Sequence, residues 1–307
     1  GESYGGIRSG GVAYKLLTSH NITLNGVILV SPFMDYVAGA AGLKTNTPYY
    51  NYLSTFAATA WYHDALADKP ARLRPFLDEV ERFAEEVYAP VLLKGNRAST
   101  EERQRVLRGL EKYTGIDADY WDRANLRVTE SQFTKELLRD RKKTVGRIDS
   151  RFIGDGLQHN AQSFSYDPFF PAVGPAFTAT FNDYYRTTLG VKTDRRYITS
   201  APIFNEWNWE HVQPDGGWSG KSPFANTAVD LAYAMTMNPN MRVLVQQGYY
   251  DLATPYGATD YFIDHMDISE NVRKNITVEY YEAGHMMYLH PPSLRKFKQD
   301  LDSFIQP

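Results

Sequence analysis

Cysteine is absent from the 307 residues. Its absence excludes disulfides, a thiolate nucleophile and cysteine-based zinc sites. It leaves the redox compartment open, because such a chain suits oxidising and reducing surroundings alike. No uninterrupted apolar stretch reaches the roughly 18 residues of a membrane span, and no signal peptide is legible. An excess of either charge is lacking too: 33 Lys+Arg face 36 Asp+Glu, for a net charge of -3. Binding to nucleic acid would call for a basic face. The densest basic run, Arg139-Asp140-Arg141-Lys142-Lys143, is short and interrupted, and reads as a solvated helix end. Internal repeats and low-complexity tracts are also missing.

What is present supports a sizeable core, with 43% hydrophobic and 14% aromatic residues. The length fits about two domains, or one core carrying a large insertion. Ile7 to Ser19 reads as a helix whose small residues, Gly10, Gly11 and Ala13, face a sheet. Asn25-Gly26 then turns into the apolar run Val27–Val30, as a buried parallel strand does. From 41 to 221 the character changes. Arg72 to Leu93 is an amphipathic helix, Thr100 to Tyr113 another that stops at Gly115, and a third starts at Thr129. Residues 166–218 are rich in Pro, Gly and aromatics and read as irregular. Core character returns with a helix from Ser222 to Met237 and a strand through Val243-Leu244-Val245 to Gly248. A helix from Pro255 to His265, a strand at Ile276–Tyr281 and a closing helix from Pro291 to Ile305 complete the chain. Alternating strands and helices predict an α/β fold with a mostly parallel sheet. Residues 1–40 and 222–307 would form its core, and 41–221 a mainly helical cap over it.

In such sheets functional groups gather past the C-terminal ends of strands. Val243-Leu244-Val245 leads into Gly248-Tyr249-Tyr250-Asp251, and Tyr280-Tyr281 into Ala283-Gly284-His285. The chain begins Gly1-Glu2-Ser3-Tyr4-Gly5-Gly6, a G-x-S-x-G sequence. That motif marks a sharp strand-to-helix turn that lifts a serine hydroxyl above the sheet edge, and Ser, Asp, His is the chain order of an α/β-hydrolase triad. Ser3 would be the nucleophile, and His285 the base that takes its proton and returns it to the leaving group. Asp251 would hold the imidazole tautomer. The Tyr4 N–H, directly after the nucleophile, would be one oxyanion donor. The second donor, worth about 10²–10³ in rate, is expected from a loop earlier in the fold. No strand precedes Gly1 in this sequence, so an N-terminal part of the fold is expected on a segment outside it.

Plainer readings stand beside this one. A G-x-S-x-G sequence can be an ordinary turn, and Asp251 a turn residue. His20, His63, His159, His211, His265 and His290 read as structural or surface histidines. Asp251, Asp260, Asp264, His265 and Asp267 give a density of potential ligands, but no H-x-x-x-H or H-E-x-x-H spacing occurs. A carboxylate-rich helical face is the alternative, and neither metal nor cofactor is implied.

Three segments carry a resemblance. Gly1–Gly6 is similar to the G-E-S-Y-A/G-G elbow of serine carboxypeptidases. Ala283-Gly284-His285-Met286 resembles that family's A-G-H-M segment, and Gly248 with Asp251 its G-x-x-D. The cap after the first strand matches in position. The resemblance implies release of C-terminal residues from peptides through an acyl-enzyme, with a mildly acidic pH preference and a periplasmic or secreted location. It gives Glu2 a role as well: sharing a proton with a second glutamate, expected before Gly1, and binding the substrate's terminal carboxylate. Lack of disulfides departs from the eukaryotic members and favours a bacterial branch. Aromatic residues such as Phe204, Trp207 and Trp209 would line the cleft or pack the cap. Competing readings are an esterase or acyltransferase on the same triad, and an inactive remnant that only binds peptide. Partners would be a peptide with a free C-terminal carboxylate, the N-terminal segment, or a second copy of the chain. No nucleic acid and no membrane are among them.

Overall fold

The computed structural model describes residues 1–41, 45–203, 206–214, 216 and 221–306. Its centre is a three-stranded parallel sheet in the order β1-β4-β5, with β1 Gly26–Val30, β4 Arg242–Gly248 and β5 Ile276–Tyr281. The register runs from Gly26 opposite Arg242 to Val30 opposite Gln246, and from Val243 opposite Ile276 to Gly248 opposite Tyr281. Apolar, β-branched runs suit a strand covered on both faces. Central β4 is buried from Val243 onward. At the free edge of β1, Glu2 makes a parallel bridge to Val30. The Val30 N–H donates to Gly1 O (2.9 Å) and the Ser3 N–H to Val30 O (3.0 Å). The first residues thus extend the sheet directly up to Ser3.

The helix Gly5–His20 follows. Its small residues serve a different neighbour from the one expected. Gly10 and Ala13 are buried, but a Cβ on Gly10 would stand 2.4 Å from the Thr227 carbonyl oxygen, and Gly11 faces open space. The close approach is to the start of helix Ala228–Met237, not to the sheet. That second helix begins six residues later than the sequence suggests. Residues 222–227 are instead extended and turned, with Asp35 bridged to Asn226. Tyr256–Asp264 and Pro291–Ile305 form the remaining core helices.

The middle of the chain is mostly helical. Leu73–Lys94 is one helical run, but it widens into a π turn over Ala84–Tyr88 before Pro90. Pro90 has no N–H for the carbonyl four residues back, and its ring crowds that group. A wider turn relieves both. Thr100–Thr114 starts on a capping box between Ser99 and Glu102 and stops at Gly115, φ 67°. Thr129 caps Glu130–Glu136 in the same way, with Gln132. A short antiparallel ribbon pairs β2 Lys143–Val145 with β3 Ile153–Asp155. Residues 166–218 are less irregular than their composition predicts. Phe169–Asp183 is a 15-residue helix despite Pro175 inside it. Phe204 and Trp218 lie outside the described residues.

Cap and core share one hydrophobic cluster. It runs from Leu53, Phe56 and Leu77 through Trp121 and Phe133 to Tyr249, Tyr250, Leu252 and Tyr256. The last four flank Asp251. Among the described residues no helix is long and apolar enough to cross a membrane.

Candidate active site

Ser3 stands between the extended Gly1–Glu2 pair and the first turn of a helix, with φ 55°. A non-glycine residue is strained there, and such strain persists only when the surroundings over-determine it. They do so here. The Ser3 N–H donates to Val30 O (3.0 Å), and the Ser3 carbonyl accepts from the N–H groups of Gly6 (2.9 Å) and Phe33 (3.0 Å). The glycines of the motif are not equivalent. A Cβ on Gly1 would lie 2.3 Å from Gly5 O, and one on Gly6 2.9 Å from Pro32 Cβ, whereas Gly5 has open space. The small residue this turn needs is the sixth, not the fifth.

Asp251 sits just past β4 and is fully buried. Its Oδ1 accepts from the N–H groups of Ala253 (2.8 Å) and Thr254 (2.9 Å), and its Oδ2 lies 2.7 Å from His285 Nδ1. A buried carboxylate needs such donors. The Thr254 hydroxyl is 2.8 Å from Asp251 Oδ2, 3.0 Å from Ser31 O and 3.1 Å from His285 Nδ1. With one proton it donates to one of the two oxygens at a time. The contact fixes the neutral His285 tautomer: Nδ1 carries the hydrogen toward Asp251, and Nε2 keeps its lone pair.

His285, past β5, is 6% exposed. Burial disfavours its charged form. The Asp251 carboxylate, by charge and by hydrogen bond, outweighs that, with Glu2 adding to it and Arg147 opposing it, so the imidazole titrates above its ordinary value. Ser3, Tyr4 and His285 line one cavity of about 780 Å³, walled by Phe33, Tyr36, Trp207 and Trp209. Within it Ser3 Oγ makes no hydrogen bond to His285. In unliganded enzymes such contacts are often long and tighten only around substrate. Among described residues the Tyr4 N–H donates to no protein acceptor, as an oxyanion donor should be left. Its ring meets Trp207 edge-on at 5.2 Å and Trp209 at 5.9 Å, and Trp207 Nε1 donates to Tyr4 Oη (2.8 Å).

Glu2, whose charge is felt at His285, turns its carboxylate to another partner. It is exposed, does not line this cavity, and accepts from the Tyr288 phenol (2.9 Å and 3.2 Å to its two oxygens). Burial first, and then this carboxylate, push the Tyr288 hydroxyl well above the usual tyrosine range.

Sequence reasoning missed the segment Arg147–Arg151, which laces the Asp251 and His285 loops together. The Leu252 N–H donates to Arg147 O (3.1 Å), the His285 N–H to Ile148 O (2.8 Å) and the Ser150 N–H to Tyr250 O (3.0 Å). The Gly284 N–H donates to Asp149 Oδ2 (3.2 Å), and Asp149 forms a buried ion pair with Arg151 (2.6 Å). No motif marks these residues, because only the folded cap brings them to the site. Asp149→Asn keeps an acceptor but removes the charge facing Arg151. A loss of about 1–3 kcal/mol in stability is expected, with a smaller loss of turnover than any triad substitution causes. Urea unfolding and steady-state kinetics on the same sample check both. Unaltered stability would mean that the ion pair does not hold the loop.

Of the other histidines, His211 carries a second Asp–His contact, 2.6 Å to buried Asp230, and its main chain bridges Ser222. His63 meets Ser150 O (2.6 Å). Asp260 is partly buried: burial first raises its carboxyl to about 7, and the Tyr280 hydroxyl donates to it (2.6 Å). Among the described residues no three His, Asp or Glu side chains converge as metal ligands. Comparisons with protein-family models, with curated proteins and with solved structures find nothing that matches this chain.

Proposed function

We propose that this chain is a serine hydrolase of α/β-hydrolase architecture that removes C-terminal residues from peptides. One observation carries the reading. A serine held at positive φ, between an extended segment and a helix, shares a cavity with the histidine of a buried Asp–His pair that follows the ends of β4 and β5. Ser3 Oγ attacks the scissile carbonyl as His285 Nε2 takes its proton. The developing oxyanion meets the Tyr4 N–H, His285 returns the proton to the leaving amine, and water then repeats the cycle on the acyl-Ser3 ester. Asp251 stabilises the transient imidazolium. The peptidase part rests on the Glu2-Ser3-Tyr4 and Ala283-Gly284-His285 resemblance. A periplasmic or secreted location goes with it.

Glu2 supports a second reading. Its carboxylate accepts from Tyr288 and does not line the cavity, and ester hydrolysis or acyl transfer on the same triad needs no carboxylate recognition. A fluorophosphonate probe tests what the two readings share. Covalent labelling is expected, and Ser3→Ala should abolish it. A folded protein that stays unlabelled sinks both. Rates on an N-blocked dipeptide, its C-terminal amide and a p-nitrophenyl ester then separate them. Selective loss of the amide favours the peptidase.

A further inference from the structure

We infer that Arg147 is the cavity's carboxylate anchor, the group that holds an acidic end of the substrate beside Ser3 and His285. This deepens the hydrolase reading and rests on it. Arg147 is the one lysine or arginine among the described residues lining the cavity. It is half-buried, and among described residues it forms no ion pair. Its side chain makes one long contact, from Nη2 to Ala253 O (3.5 Å). Arg74 is met by Asp78 and Glu81, Arg139 by Glu136 and Arg151 by Asp149, while Arg127 is held by Asn46 and Arg242 lies over the Phe304 ring, both away from this cavity. A cation withdrawn from water beside aromatic walls, without a carboxylate of its own, is suited to receive one.

The backbone fixes where that cation hangs. The Arg147 N–H donates to Asp167 Oδ2 (3.1 Å) and its carbonyl accepts from the Leu252 N–H (3.1 Å), next to Asp251. Its charge is felt at His285 and at Tyr52, on the cavity wall. Glu130 lines the same cavity and forms no ion pair with Arg147. The site therefore presents one cationic and one anionic position separately, and a substrate carboxylate belongs at the first. Glu2 is held outside by Tyr288, so it does not compete for the task.

Arg147→Gln and Arg147→Lys are to be compared with wild type on three substrates: N-acetyl-Phe-Leu, N-acetyl-Phe-Leu-amide, and N-acetyl-Phe-Glu-amide, whose only carboxylate is on a side chain. Arg147→Gln is expected to lower kcat/KM for one carboxylate-bearing substrate by about 10- to 100-fold relative to the uncharged amide, mostly through KM. Arg147→Lys should restore part of it. Dependence on the first substrate assigns a terminal carboxylate; dependence on the third assigns an acidic side chain. Equal losses on all three, or no loss, overturn the inference while fluorophosphonate labelling upholds the hydrolase. Should labelling fail, quenching of tryptophan fluorescence by N-acetylphenylalanine against its amide still decides. Preference for the acid that Arg147→Gln removes supports the anchor, and equal binding of acid and amide rejects it.

Discussion

Asp251→Asn is expected to lower turnover by about 10⁴-fold while leaving the protein folded. The two N–H groups that bind Oδ1 can still meet the amide oxygen, so the loop keeps its main anchors. The remaining amide nitrogen then faces His285 Nδ1, which must turn its lone pair toward it. Nε2 becomes protonated, and Ser3 loses its base. The pH profile carries a second signature. In the wild type, His285 titrates above its ordinary value because Asp251 outweighs the cost of burial. The acid limb of kcat/KM should therefore lie above about pH 6.5, and turnover should fall as pH drops through it. With Asp251 neutralised, burial is less opposed and the residual activity should show its limb at lower pH. Stability has the opposite sign: the contribution of His285 is fully present below about pH 6.5 and is lost as pH rises through the folded value. The resemblance implies an acidic optimum, so the wild-type limb is informative by itself. A plateau extending down to pH 5 would mean that free His285 does not limit the reaction. Near-normal turnover by the asparagine variant would remove Asp251 from the mechanism.

Much of this arrangement is legible in the chain, for local reasons. Val27–Val30, Val243–Gly248 and Ile276–Tyr281 are short apolar or β-branched runs ended by turn residues, and each is a strand of the sheet. Ser99 with Glu102 and Thr129 with Gln132 write their capping boxes into four residues. Asp251 and His285 follow strand ends, so meeting past a parallel sheet is the natural outcome. What was not legible depends on contacts distant in sequence. Arg147, Asp149 and Glu130 belong to the cap, and nothing near them in sequence mentions Ser3. The helix Phe169–Asp183 hid behind Pro175 and neighbouring Gly174, whose low propensity is a weak prior once tertiary context acts. Nor does the motif around Glu2 announce its hydrogen-bond partner, Tyr288, 286 positions away.

The remaining large effect concerns how far the cap and the catalytic loops form one cooperative unit. Phe56 is fully buried and stacks on Phe133 with ring centroids 4.0 Å apart and planes 7° from parallel. Phe56→Ala is expected to cost about 3–5 kcal/mol, the range for a large aromatic side chain removed from a packed site. The cluster around this pair continues without a break into Tyr249, Tyr250, Leu252 and Tyr256. Those residues set the turn on which Asp251 sits, and Arg147–Ser150 tie the same turn to the His285 loop by main-chain hydrogen bonds. A cavity opened at Phe56 should therefore reach the site through packing, although Phe56 does not line the cavity that holds Ser3 and His285. During urea unfolding of the variant, loss of helical circular dichroism and loss of fluorophosphonate reactivity should follow one curve, at a lower midpoint than in the wild type. Two separated curves, with the helical signal lost first and reactivity persisting, would show instead that the cap unfolds by itself, and that the sheet holds Asp251 and His285 in place without it.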